Sequence, residues 1–129
     1  MHIDASAMVA ILIGEPERDQ FLRRMAEDTF RSTSIVSAFE AVIALARKTD
    51  DRWGAADSVR EFLTRSNVVI EDAGDSLLEE LGAAYAKYGK GSGHPACLNM
   101  GDCISYAMAK QAGVSLLYKG NDFSHTDLA

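Results

Sequence analysis

The sequence predicts a three-layer α/β fold in which a short, mainly parallel central sheet is flanked by helices. Three observations carry this expectation. Short apolar segments, MHID, NVVIED and VSLLY, alternate with longer stretches of helical periodicity. FRSTS adds a further extended segment between two of those helices. The 129 residues, 47% apolar and 25% charged, suit one globular domain spanning residues 1–129.

The elements follow in order. MHID is a short strand, SAMVAILIG a helix, and residues 15 to about 28 a second helix with Pro16 in its first turn, where a missing N–H does no harm. After FRSTS, Ser34 is suited to cap a helix through IVSAFEAVIALARK, whose Arg47 and Lys48 complement the negative end of the helix dipole. A helix from about Asp51 to Arg65 leads to the strand NVVIED, and DSLLEELGAAYAKYG is helical again. GKGSGHPACLNMG, with four glycines and Pro95, is a loop. DCISYAMAKQAG repeats Ile104, Ala107, Met108 and Ala112 at helical spacing and stops at Gly113, before the last strand, VSLLY.

Composition removes several classes of function. AMVAILIG is too short to span a bilayer, and Asp4 stands where the cationic region of a secretory signal would lie, so a cytoplasmic protein is expected. Cys97 and Cys103 form no CxxC pair, and His2, His94 and His125 have no metal-binding spacing. A net charge of −6 argues against broad binding to a phosphate backbone through a basic face, though not against an enzyme whose carboxylates hold cations. GKGSG fails as a phosphate loop, because Lys90 is followed by Gly91 and no helix begins at once. Lys87, Lys90 and His94 near that loop are candidate RNA contacts; Trp53, Tyr85 and Tyr88 are read as core or dimer contacts.

Four acids stand apart. Asp4 ends the first strand and Asp122 follows the last by four residues, so right-handed crossovers place both at one rim of the sheet. Asp102 begins the helix after the glycine-rich loop. Glu40 lies about 100° round its helix from Phe39, bordering an apolar stripe of Phe39, Val42, Ile43 and Ala46. Neither Glu40 nor Asp102 has a cation three or four residues away; Lys119 and His125 are the cations near Asp122. Each acid has an ordinary reading: Asp4 as helix cap, Asp102 as dipole partner, Glu40 as solvated flank, Asp122 as turn former. Four aimed at one rim repel one another and call for a cation, and all-oxygen ligation points to Mg²⁺ or Mn²⁺.

IDASAMVAILIGEPE, SAFEAVIAL, HPACLNMGDCISYAMAK and LLYKGNDFSHTDLA together resemble the PIN-domain ribonucleases, specifically the VapC-type toxins of bacterial toxin–antitoxin pairs. The resemblance spans nearly the whole chain. It implies that Asp4, Glu40, Asp102 and Asp122 form the acidic metal-binding quartet, with Asp4 and Asp102 the firmest ligands. Ser6, Asn121, Thr126 and Asp127 take supporting roles by the same resemblance. It further implies Mg²⁺- or Mn²⁺-dependent cleavage of RNA, often tRNA or rRNA, a homodimer, and a cognate antitoxin whose tail covers the active site. The residues after the TD element leave little for the family's further edge strand. Two other readings compete: a receiver-like phosphoacceptor domain using Asp4, Asp72 and Lys119, and a PIN-like binding partner without catalysis.

Overall fold

The computed structural model describes residues 1–129. In chain order it contains β1 (His2–Ile3), α1 (Ala5–Ile13), α2 (Arg18–Glu27), β2 (Arg31–Ser34), α3 (Ile35–Thr49), α4 (Arg52–Arg65), β3 (Val68–Glu71), α5 (Leu77–Tyr88), α6 (Met100–Ala112), β4 (Leu116–Leu117) and a 3-10 turn at Asp122–His125. The four strands form one parallel sheet in the order β3-β2-β1-β4. β1 is central, with His2 opposite both Ser32 and Leu116. The predicted fold class holds, and all strands end at the same side. No helix is long and apolar enough to cross a membrane.

Local chemistry sets the boundaries. Asp4 caps α1 by accepting from the Ser6 N–H, and Gly14 ends it in the left-handed region at φ 73°. Ser34 caps α3 as expected, accepting from the Ser37 N–H. Asp51 caps α4. Asn99 and Asp102 form a reciprocal capping box on α6, which Gly113 terminates at φ 66°.

Ile3, Met8 and Leu117 are fully buried with Phe21, Leu45 and Leu63 in the larger core, between the sheet and α1 to α4. A second cluster, with Tyr88, Leu98, Tyr106 and Phe123, joins α5 and α6 to β4. Burying each such large side chain contributes about 1.5–3 kcal/mol, so strands of two residues are held by what packs on them.

The structure corrects several expectations. The two outer strands of the prediction shrink: only His2–Ile3 and Leu116–Leu117 pair as β1 and β4, because neighbouring residues leave the sheet for caps and turns. α2 begins at Arg18, so Pro16 lies in the preceding turn. α6 begins at Met100, which puts Asp102 at its third position instead of its start. The buried face of α3 is Ser37, Ala38, Ala41 and Leu45; of the expected stripe, Phe39 and Ile43 are exposed and Val42 and Ala46 are only partly buried. Of the three aromatics, Tyr88 is in the core, whereas Trp53 and Tyr85 are exposed, which leaves them only the dimer-contact half of the expectation.

Candidate active site at the sheet rim

Asp4 is the fixed point. It follows β1, is buried, and both its carboxylate oxygens are engaged. Oδ2 accepts from the Ser6 hydroxyl at 2.6 Å and the Ser6 N–H at 2.9 Å, while Oδ1 accepts from the Ser105 hydroxyl at 2.6 Å. The Lys119 N–H donates to the Ser6 hydroxyl at 3.0 Å, tying the chain beyond β4 to the same carboxylate. The capping role and the site role of Asp4 coincide, because a cap at a strand-to-helix junction lies at the strand's C-terminal end.

The other acids arrive from separate elements. Glu40, on α3, has its carboxyl pushed above the usual range by burial first, then by the charges of Asp4 and Asp102. Asp102, on α6, is pushed up to about 6 by burial, which outweighs the Asn99 N–H that favours its ionised form; Asp4 and Asp122 add repulsion. Asp122 opens the 3-10 turn after β4. Each of the four acids is thus within electrostatic range of at least one other, with Asp102 linked to both Asp4 and Asp122. A Cβ at Gly101 would lie 2.1 Å from Glu40 Oε1, so the first turn of α6 stands directly against the Glu40 carboxylate.

None of the chain's five ion pairs involves the quartet. Lys119, expected near Asp122, instead pairs with Glu15 and with Glu17, the latter at 3.1 Å. It shares with Ser6, Val9, Glu15 and Glu40 the lining of an open cavity of about 350 Å³. The donor chemistry, hard oxygens without a neutralising cation, fits Mg²⁺ or Mn²⁺. The carboxylates stand apart, however: no three potential ligands close on one point. Asp102 Oδ2 is held on the Asn99 N–H at 2.9 Å, so closing a cage requires these side chains to draw inward.

The supporting residues divide. Ser6 touches Asp4 directly. Thr126 is buried and donates to the Phe123 carbonyl at 2.8 Å, stiffening the turn that carries Asp122. Asn121 precedes that turn, and Asp127 faces away to the Tyr106 hydroxyl at 2.7 Å and Lys110 at 2.6 Å. Of the loop residues, Lys87 lies over the Tyr88 ring and His94 packs edge-on against it. Sequence reasoning missed Ser105, Ser37 and Gly101. Ser105 shares one face of α6 with Asp102, but neither its burial nor its contact with Asp4 can be read from that spacing.

A parallel sheet flanked by helices, with acids from several elements near the C-terminal ends of its strands, defines an α/β domain with an acidic rim. The chain belongs to the PIN-domain family, whose model matches residues 1–128. Within that family its relatives are VapC ribonucleases. It is 43% identical to a VapC ribonuclease of Rhizobium meliloti, over 98% of this chain and 97% of that one. It is 39% identical to ribonuclease VapC28 of Mycobacterium tuberculosis, over 98% and 93%. The crystal structure of M. tuberculosis VapC20, described as a sarcin-ricin loop cleaving toxin, superposes with a TM-score of 0.72 over 95% of this chain and 92% of that one; at 19% identity it bears on the fold.

Proposed function

We propose that this chain is the endoribonuclease toxin of a type II toxin–antitoxin pair, hydrolysing RNA phosphodiester bonds at the acidic rim with Mg²⁺ or Mn²⁺. The observation that supports the reading is that Asp4, Glu40, Asp102 and Asp122 come from separate elements within electrostatic range of one another, and none of them is in an ion pair. A divalent ion held by these four would supply the missing positive charge, polarise the phosphodiester and lower the pKa of water for attack.

The chain's residues do the rest. Ser6 and Ser105 hold the Asp4 carboxylate in one orientation, so no hydrogen-bond rearrangement of that group is needed when charge develops nearby. Glu15 and Glu17 hold the Lys119 ammonium in the lining of the cavity that Glu40 also lines, where it offers a cation to an incoming phosphate. Glu40 and Asp102, both raised in pKa, must release protons before they can ligate.

Partners belong to the same reading. Ile35, Phe39 and Ile43 form one exposed apolar surface along α3, and Leu78, Tyr85 and Met100 another across α5 and the start of α6. Such surfaces suit a second copy of the chain and a cognate antitoxin segment. The substrate is cytoplasmic RNA of the tRNA or rRNA class. Asp72, which the receiver-like reading needed, is exposed beyond β3 at the opposite end of the strand order from β4. The catalytically silent reading is disfavoured by the intact quartet.

The test is direct. Purified protein should cleave RNA with Mn²⁺ or Mg²⁺ and stop with EDTA. Asp4→Asn and Asp102→Asn should each lower the rate on the order of 10²-fold or more while circular dichroism shows the fold intact. Full activity in either variant refutes the assignment.

A further inference from the structure

A buried line of hydroxyls runs to Asp4 from the start of α3. The Ser37 N–H donates to Ser34 Oγ at 2.9 Å, Ser34 Oγ donates to Ser37 Oγ at 3.0 Å, Ser37 Oγ and Ser105 Oγ are 3.0 Å apart, and Ser105 Oγ donates to Asp4 Oδ1 at 2.6 Å. Ser34, Ser37 and Ser105 are 3%, 0% and 0% exposed, so water does not complete or interrupt the line.

Proton accounting fixes its direction. A carboxylate accepts only, so the single Ser105 hydroxyl proton is committed to Asp4. Ser105 must then accept from Ser37, and Ser37 from Ser34, whose oxygen accepts a backbone N–H at the positive end of α3. Every hydroxyl dipole points toward Asp4. Successive donors polarise one another, so the last bond gains from those before it.

The same bonds set spacing. Ser37 lies three residues before Glu40 on α3, and Ser105 three after Asp102 on α6, so each serine shares a helix face with one acid. The Ser37–Ser105 contact therefore fixes the separation of the two helices that carry Glu40 and Asp102.

We infer that Ser105, acting with Ser37 and Ser34, is a positioning residue that orients the Asp4 carboxylate and spaces Glu40 from Asp102 for a divalent cation. The inference rests on the metal-site reading above and goes beyond it in assigning a role to three side chains outside the quartet. Partners that orient a ligand in this way change metal affinity by about 10- to 100-fold.

The test measures Mn²⁺ affinity of the full chain by isothermal titration and by electron paramagnetic resonance of free Mn²⁺, without RNA. Ser105→Ala should bind Mn²⁺ about 10- to 100-fold more weakly, and Ser37→Ala should show a smaller loss. The double variant should be no worse than Ser105→Ala alone, because Ser37 acts through Ser105. Ser105→Cys, close in volume but a weaker donor, should also lose affinity, which separates hydrogen bonding from packing. Excess Mn²⁺ should restore RNA cleavage by Ser105→Ala. Losses that add in the double variant, or wild-type affinity in Ser105→Ala, overturn the inference and leave the metal site standing. A wild-type chain that binds no Mn²⁺ overturns the metal reading and this inference with it.

Discussion

Asp102 carries two duties that pull against each other. Its carboxylate completes the α6 capping box, which favours ionisation, yet burial and neighbouring acids push its pKa from 3.8 up to about 6. Between those values the folded chain holds a proton the unfolded chain has lost, so the cation-free fold loses stability as pH rises through that window. Buried His2 has the opposite sign: its pKa is lowered by burial from 6.5 to about 4, so its contribution grows as pH rises from about 4 to 6.5. In cation-free urea melts, Asp102→Asn should therefore gain stability with pH more steeply than the wild type across pH 4 to 6; parallel profiles would contradict the raised Asp102. Gly101 offers a second residue-scale test. Alanine is the better helix former by about 1 kcal/mol, but its methyl would displace the Glu40 carboxylate. Gly101→Ala should hold or raise the melting temperature while cutting RNA cleavage, a split visible in calorimetry beside a cleavage assay. The acids were legible in the sequence because unpaired negative charge gathered at strand ends weakens a fold unless a cation joins it. Ser105 was not, since its partner Asp4 lies 101 residues away and a lone serine declares nothing.

Helix ends place the site, so capping chemistry controls function as well as stability. Asn99→Ala removes the side-chain acceptor for the Asp102 N–H but keeps the backbone Asn99 N–H that holds the Asp102 carboxylate. It should cost about 1 kcal/mol in denaturant unfolding and leave RNA cleavage close to wild type. Loss of cleavage at full stability would mean that the side chain serves the acids directly. The cap at Ser34 and the stop at Gly113 could be read in advance, because one follows from a side-chain oxygen and the other from a missing Cβ. The orientation of α3 could not. Its bulky residues suggested the buried face, yet Ser37, Ala38 and Ala41 face the interior because α1 and α6 pack closely against this helix. Size misled where closeness of approach decided.

Cation binding should be visible across the entire fold. A ligand that binds only the native state at 100 times its dissociation constant adds about 2.7 kcal/mol of stability. Mn²⁺ should therefore raise the melting temperature clearly at pH 7.5 and much less at pH 5, where Asp102, with its pKa pushed up to about 6, retains its proton. A pH-independent increment in scanning fluorimetry would argue for a different binding locus. The α/β architecture was legible from alternating segments, and the acidic rim followed from it, since parallel strands end on one side. What stayed hidden was how little strand there is: β1 and β4 hold two residues each, too few to show a period. That brevity has a consequence for synthesis. The strand made first lies inside the sheet, with β2 on one side, and waits for Leu116–Leu117 to pair on the other, while Asp122 emerges later still. With two residues paired on one side only, β1 is held weakly until Leu116–Leu117 arrive, so the sheet and the placing of Asp122 are completed together and late.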